Sequence, residues 1–126
     1  MLQGPVLLVD DEPQVRSLIR AVLSKHGFQI VEADDGLSAW TTVQELQGAI
    51  SLIVSDYSMP RLNGAALASR VKAQFPTIPI LFVSSNTDAH DCLSCDAFLT
   101  KPFVPAVLVE TVHRLCGTDS SRKLCA

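Results

Sequence analysis

The sequence predicts an α/β domain whose parallel sheet carries helices on both faces. Short continuous apolar runs recur along the chain, Val6-Leu7-Leu8-Val9 and Ile80-Leu81-Phe82-Val83 among them, as strands covered on both sides require. Amphipathic stretches with apolar residues at helical spacing separate the runs, and that alternation calls for a parallel sheet. The chain has 126 residues, 48% of them apolar, enough for one domain with a single core and no need of disulfide staples.

The first strand is Val6 to Val9. A helix follows, with Val15, Leu18, Ile19, Val22 and Leu23 on its inward face. Pro13 suits its first turn, Asp11 and Glu12 its positive amino end, and Gly27 its stop. Phe28 to Val31 is the second strand, and a helix from Gly36 turns Leu37, Trp40, Val43 and Leu46 inward. Ile50 to Ser55 is the third strand, ending at Asp56. Met59 to Gly64 is a turn-rich loop that leads into a helix from Ala65 to about Phe75. Pro76 and Pro79 punctuate the approach to the fourth strand, Ile80 to Val83. Ala97 to Thr100 is the fifth strand, Val104 to Cys116 the last helix, and Gly117 its stop.

Composition excludes several function classes. With 18% charged residues and mean hydropathy +0.28 the chain is not disordered over most of its length. A net charge of −3 argues against a surface that neutralises nucleic-acid phosphates. No apolar run approaches a membrane span, and Met1 to Pro5 lacks the basic start of a signal peptide. A cytoplasmic domain that binds neither nucleic acid nor membrane is expected. The four cysteines (Cys92, Cys95, Cys116 and Cys125) are expected to be reduced thiols.

Ligands of such sheets bind beyond the carboxyl ends of the strands, near the reversal of strand order. The residues that stand there are Asp10 and Asp11, then Asp56, then Ser84 and Ser85, then Lys101. Each alone has an ordinary reading: a helix-start acid, a turn residue, a loop serine, a solvated lysine. Together they converge on one edge. Two carboxylates about 5 Å apart at an effective dielectric of about 20 repel by roughly 3 kcal/mol, so a cluster of three calls for a hard cation. All-oxygen donors with room for water suit Mg²⁺. A cation, an ammonium and a hydroxyl around one aspartate describe a site for a phosphoryl group, with the aspartate as nucleophile.

Val6-Leu7-Leu8-Val9-Asp10-Asp11-Glu12-Pro13, Val54-Ser55-Asp56-Tyr57-Ser58-Met59-Pro60, Asn63-Gly64 and Leu99-Thr100-Lys101-Pro102-Phe103 closely resemble the receiver domain of two-component response regulators. The resemblance runs from about Val6 to Cys116. It implies a three-layer αβα, doubly wound, flavodoxin-like fold with five parallel strands in the order 2-1-3-4-5, residues 1–117 forming the domain and 118–126 a tail. It implies that Asp56 accepts a phosphoryl group from a sensor histidine kinase or histidine phosphotransfer protein. Asp11 would ligate Mg²⁺ directly, Asp10 largely through water, with Asp56 and the main-chain carbonyl of Ser58 completing the protein's ligands. Ser84 would turn inward to bond the phosphoryl group, Phe98 would follow it into the vacated space, and Lys101 would contact the phosphoryl oxygens. The Lys101-Pro102 bond is a candidate cis peptide. Ser58 and Asn86 stand where side chains influence the water that removes the phosphoryl group. Such a domain is a switch that presents a changed surface to a downstream protein, or to a second copy in a homodimer, and not a turnover enzyme.

The sequence departs from the family between the fourth and fifth strands. Ser85 to Cys95 leaves room for about two helical turns, and Ser94-Cys95 replaces the family's Gly-Ala pair. A shortened, shifted or partly irregular fourth helix is expected there, which touches the signalling face and not the chemistry. Val104 cannot cap the last helix as Asp or Ser would. Cys92-Leu93-Ser94-Cys95 near His90 leaves open zinc or redox chemistry beside incidental thiols. His26 and His113 read as structural residues near helix carboxyl ends. The competing functions are a phosphorylation-independent interaction or dimerisation module, and an aspartate-nucleophile phosphatase of the haloacid-dehalogenase type. The latter expects an acid where this chain has Ser58.

Overall fold

A computed structural model describes residues 4–57, 62–84 and 96–116. The Ser58 carbonyl, the shortened helix expected in Ser85–Cys95 with its cysteine pair, Asn86, the Gly117 stop and the 118–126 tail lie outside the described residues. In chain order the elements are β1 (Val6–Val9), α1 (Pro13–Lys25), β2 (Ile30–Ala33), α2 (Gly36–Glu45), β3 (Leu52–Ser55), α3 (Gly64–Gln74), β4 (Ile80–Ser84), β5 (Ala97–Thr100) and α4 (Pro105–Cys116), the last helix of the sequence reading. All neighbouring strands pair in parallel, in the order β2-β1-β3-β4-β5.

The central strands β1, β3 and β4 are buried throughout, and their alternation splits the core in two. Leu7, Val9, Ile53, Ile80 and Phe82 face one side with Ala39 and Val43 of α2 and Leu67, Ala68 and Val71 of α3. Val6, Leu8, Leu52, Val54, Leu81 and Val83 face the other with Ile19 and Leu23 of α1 and Leu108 and Val112 of α4. Each fully buried aliphatic side chain contributes about 1.5–3 kcal/mol relative to exposure, so continuous apolar strands are stable only with helices on both faces.

Element ends differ from the sequence reading where packing overrides pattern. β2 starts at Ile30, not Phe28, because the ladder to β1 begins with Val6 N–H donating to Gln29 O (2.8 Å). Phe28 instead packs beneath the sheet, its ring 5.1 Å from that of His113. Leu18 and Leu37, expected inward, are 50% and 39% exposed. The inward stripe of α1 is narrower than its apolar residues, and Ile19 and Leu23 fill it. Gly27 ends α1 with φ +90°, a conformation that favours glycine.

β1 is the switch point of this sheet. The chain leaves it through α1 towards β2 on one side, while β3, β4 and β5 build out on the other. The carboxyl ends of β1 and β3 therefore open the crevice where ligands of such sheets bind.

Candidate functional site

Strand register brings the sequence-predicted residues together. Val9 pairs with Ser55 across β1 and β3, so Asp10 and Asp56 are the next residue on each strand. The Asp56 amide donates to Val9 O (2.9 Å), the Asp10 amide to Ala33 O (3.2 Å) and the Lys101 amide to Ser84 O (3.0 Å). Three backbone bonds thus anchor the acids and the lysine to the sheet edge. The Lys101-Pro102 peptide is cis, as the resemblance implied.

Asp10, Asp11 and Asp56 each offer a carboxylate oxygen within 4.8 Å of the others. Asp10 is 1% and Asp56 8% exposed, while Asp11 is exposed. Among the described residues they form the one group of three or more such side chains able to hold a metal ion. The Lys101 ammonium donates to Asp10 Oδ2 (3.1 Å), Glu12 Oε1 (3.2 Å) and Asp56 Oδ2 (3.3 Å). Asp10 Oδ1 accepts from the Glu12 amide (2.8 Å).

These contacts move two protonation equilibria. Burial raises the Asp10 pKa above the usual 3.8, although the Glu12 amide and the Lys101 ammonium pull the other way. Burial alone would lower the Lys101 pKa. The hydrogen bond and charge of Asp10, with Asp56 and Glu12, outweigh it and raise the lysine above 10.5. The buried acid is held with less ease than in water, and its ammonium partner with more.

Ser84 closes β4 at 2% exposure and pairs in register with Thr100. Phe98 pairs with Phe82, is half-buried, and packs against the α2/α3 side of the core. Thr100 and Phe98 are two residues apart on β5 and so share a sheet face. Ser84 and Phe98 therefore share a sheet face on adjoining strands, two register positions apart.

Sequence reasoning missed two contributors. Glu12, read as a helix-start acid, is the residue before α1 but caps nothing with its side chain, and it reaches Lys101 instead. Arg16 donates from Nη1 to Asp10 O (2.7 Å) and from Nε to Glu32 Oε1 (2.9 Å). Its position one turn into α1 was the sole signal available. Gly64, of the Asn63-Gly64 motif, also constrains the site: a Cβ there would lie 2.6 Å from Asp56 O and 2.9 Å from Tyr57 Cα.

A buried acid pair, a third acid and a lysine thus stand together at the ends of β1, β3 and β5. The response regulator receiver domain model covers residues 6–113. The chain belongs to that family. Receiver domains are sites of phosphorylation and dephosphorylation rather than turnover enzymes, and this receiver functions as a metal-dependent phosphoacceptor acting through a protein-interaction surface. Family membership implies a histidine kinase or phosphotransfer protein as the source of the phosphoryl group.

Chemotaxis protein CheY1 of Helicobacter pylori (strain J99) is 29% identical over 122 residues, 90% of this chain and 98% of that protein. Response regulator Rre1 of Synechocystis sp. is 35% identical over 124 residues, which are 92% of this chain and 53% of Rre1. Among solved structures, the receiver domain of sensor histidine kinase PA1611 from Pseudomonas aeruginosa PAO1 superposes with a TM-score of 0.82. It is 27% identical and the match covers 92% of this receiver and 99% of that chain; that structure has a magnesium ion coordinated in its active site cleft. Among the described residues of this receiver, no helix is long and apolar enough to cross a membrane.

Proposed function

We propose that Asp56 is the phosphoryl acceptor of this receiver, and that Asp10, Asp11, Asp56 and the main-chain carbonyl of Ser58 hold Mg²⁺. The observation that carries the reading is the Lys101 ammonium shared between Asp10 and Asp56 at the mouth of the switch-point crevice. The three acids supply only oxygen donors, two buried and one exposed, a set that suits a hard cation retaining water. Bound there, Mg²⁺ would neutralise charge on the phosphoryl oxygens and orient them.

The chain's own groups then have definite tasks. An Asp56 carboxylate oxygen attacks the phosphorus of a phosphohistidine, an O–P bond forms, the P–N bond breaks, and the imidazole leaves with its electron pair. Lys101, 3.3 Å from Asp56 Oδ2, meets the arriving phosphoryl oxygens. The Asp10 contact retains the lysine at the site as its bond to Asp56 gives way. Hydrolysis is water attack on the same phosphorus, returning the Asp56 carboxylate and inorganic phosphate.

Ser84 is the hydroxyl that bonds the aspartyl phosphate, and Phe98 the aromatic that moves into the space it leaves. Their adjacency on β4 and β5 supports this pairing, because a shift of one removes a neighbour of the other. Added charge at Asp56 favours the arrangement that binds it better, and the surface beside β4 and β5 follows. Residues 1–117 constitute the receiver and 118–126 a tail; the protein works in the cytoplasm through an output partner or a second copy of itself.

Incubation with acetyl phosphate, with and without Mg²⁺, tests the reading by intact mass. The expected result is a Mg²⁺-dependent gain of one phosphoryl group that Asp56→Asn abolishes. No gain, with no Mg²⁺-dependent binding of beryllofluoride, overturns it in favour of a phosphorylation-independent docking module.

A further inference from the structure

We propose that Arg16, held by Glu32, is a positioning residue for the acid pair, setting the direction of Asp10 and Asp11 towards the cation. The inference rests on the reading that these acids bind Mg²⁺. Arg16 Nη1 donates to the Asp10 carbonyl at 2.7 Å while Nε donates to Glu32 Oε1 at 2.9 Å. Glu32 lies on β2, in register with Leu8 of β1, two residues before Asp10. The Asp10 amide donates to Ala33 O on the same strand (3.2 Å). Both peptide groups of Asp10 are thus tied to β2, one directly and one through Arg16.

The Asp10 carbonyl belongs to the rigid peptide plane that joins Asp10 to Asp11. Whatever holds that plane also fixes where the Asp11 Cα–Cβ bond starts. Asp11 is exposed, so its direction depends on its backbone more than on side-chain packing. Groups that orient metal ligands from behind typically change metal affinity about 10–100-fold when removed. The planar guanidinium reaches two acceptors at once, whereas a lysine ammonium is a point donor on a flexible stem.

Arg20 provides the contrast. Its Nε lies 3.2 Å from Glu32 Oε2, yet its side chain is 61% exposed, against 21% for Arg16. A generic tie between α1 and β2 would involve both arginines alike. Positioning of the acids involves Arg16 alone, because the bond to Asp10 is made by Arg16.

Calorimetric titration of Mg²⁺ into the full chain tests this, with thermal melts recorded in parallel. Arg16→Ala is expected to weaken Mg²⁺ about 10-fold, Arg16→Lys less, and Arg20→Ala not at all. Glu32→Gln, which touches neither acid, is expected to weaken Mg²⁺ through Arg16 only, so it adds little to Arg16→Ala in the double variant. If Arg16→Ala does not fold, Arg16→Lys and Glu32→Gln carry the test. Wild-type affinity in the folded Arg16 variants, or an equal loss in Arg20→Ala, overturns the positioning role. A wild-type protein that binds no Mg²⁺ overturns the metal reading itself, and the inference with it.

Discussion

The Lys101 ammonium stands 3.1 Å from the Asp10 carboxylate, although 91 positions separate the two residues. The sheet makes the meeting possible: β1 and β5 both end at the same edge, and the chain beyond β5 is tied inward by the Lys101 amide donating to Ser84 O of β4. The contact offsets the burial of a carboxylate that is 1% exposed.

Lys101→Met should therefore leave a buried acid without its cation. A loss of about 2 kcal/mol in the metal-free protein is expected, the usual order for a charged group deprived of its partner. Mg²⁺ binds the folded state and should restore a large part of it. Denaturant melts with and without Mg²⁺ check both halves, and an unchanged metal-free midpoint would contradict the first.

The pH dependence follows from the two shifted groups. Asp10 titrates above 3.8 in the fold because of burial, so the folded chain holds its proton more tightly. In the window between 3.8 and the raised value, stability falls as pH rises. Lys101 is raised above 10.5, its pairing with Asp10 outweighing burial. Its contribution is fully present below 10.5 and is lost as pH climbs through the folded value. Asp10→Asn should accordingly remove the acidic-side slope of the metal-free protein, and with it the part of the alkaline-side slope that the Lys101 pairing supplies. Melts across pH 3 to 8 (a range of about five units around the window) measure the first.

Gly64 sits against the Asp56 backbone. An alanine Cβ would come within 2.6 Å of Asp56 O and 3.0 Å of the Phe82 ring, so Gly64→Ala must displace one of them. A cost of about 1–3 kcal/mol is expected from the overpacking, with slower phosphorylation by acetyl phosphate. Equal rates in the two proteins would show that the strain is absorbed away from Asp56.

Val104 precedes α4, its carbonyl accepting from Leu108 N–H (3.1 Å) and its side chain 59% exposed. A hydroxyl there would cap an amide that valine cannot. Val104→Ser should stabilise the domain by about 1 kcal/mol and leave phosphorylation unchanged, as chemical denaturation and intact mass will show.

Much of this was legible beforehand for a physical reason. Strands covered on both faces are continuous apolar runs, so β1 and β4 announce themselves, and Asp10, Asp56, Ser84 and Lys101 stand at or just beyond strand ends. The cap of α3 was not read: the sequence placed Asn63 and Gly64 in a loop before a helix starting at Ala65, whereas α3 begins at Gly64 and Asn63 accepts from Ala66 N–H at 2.9 Å. Contacts set by side-chain direction were not legible. Leu18 has the helical spacing of a core residue and is half exposed, because apolar periodicity marks a face without its width. Glu12 sits where an acid favours a helix start, and it turns to Lys101. Arg16 has no pattern that announces a bond to a carbonyl six residues back.

Borohydride reduction of the phosphorylated protein, followed by peptide mass mapping, identifies the phosphorylated residue itself, because it converts an aspartyl phosphate to homoserine at the modified position. Homoserine is expected at Asp56 alone, formed only when Mg²⁺ was present during phosphorylation. Homoserine at Asp10 or Asp11, or at Asp56 without Mg²⁺, would contradict it.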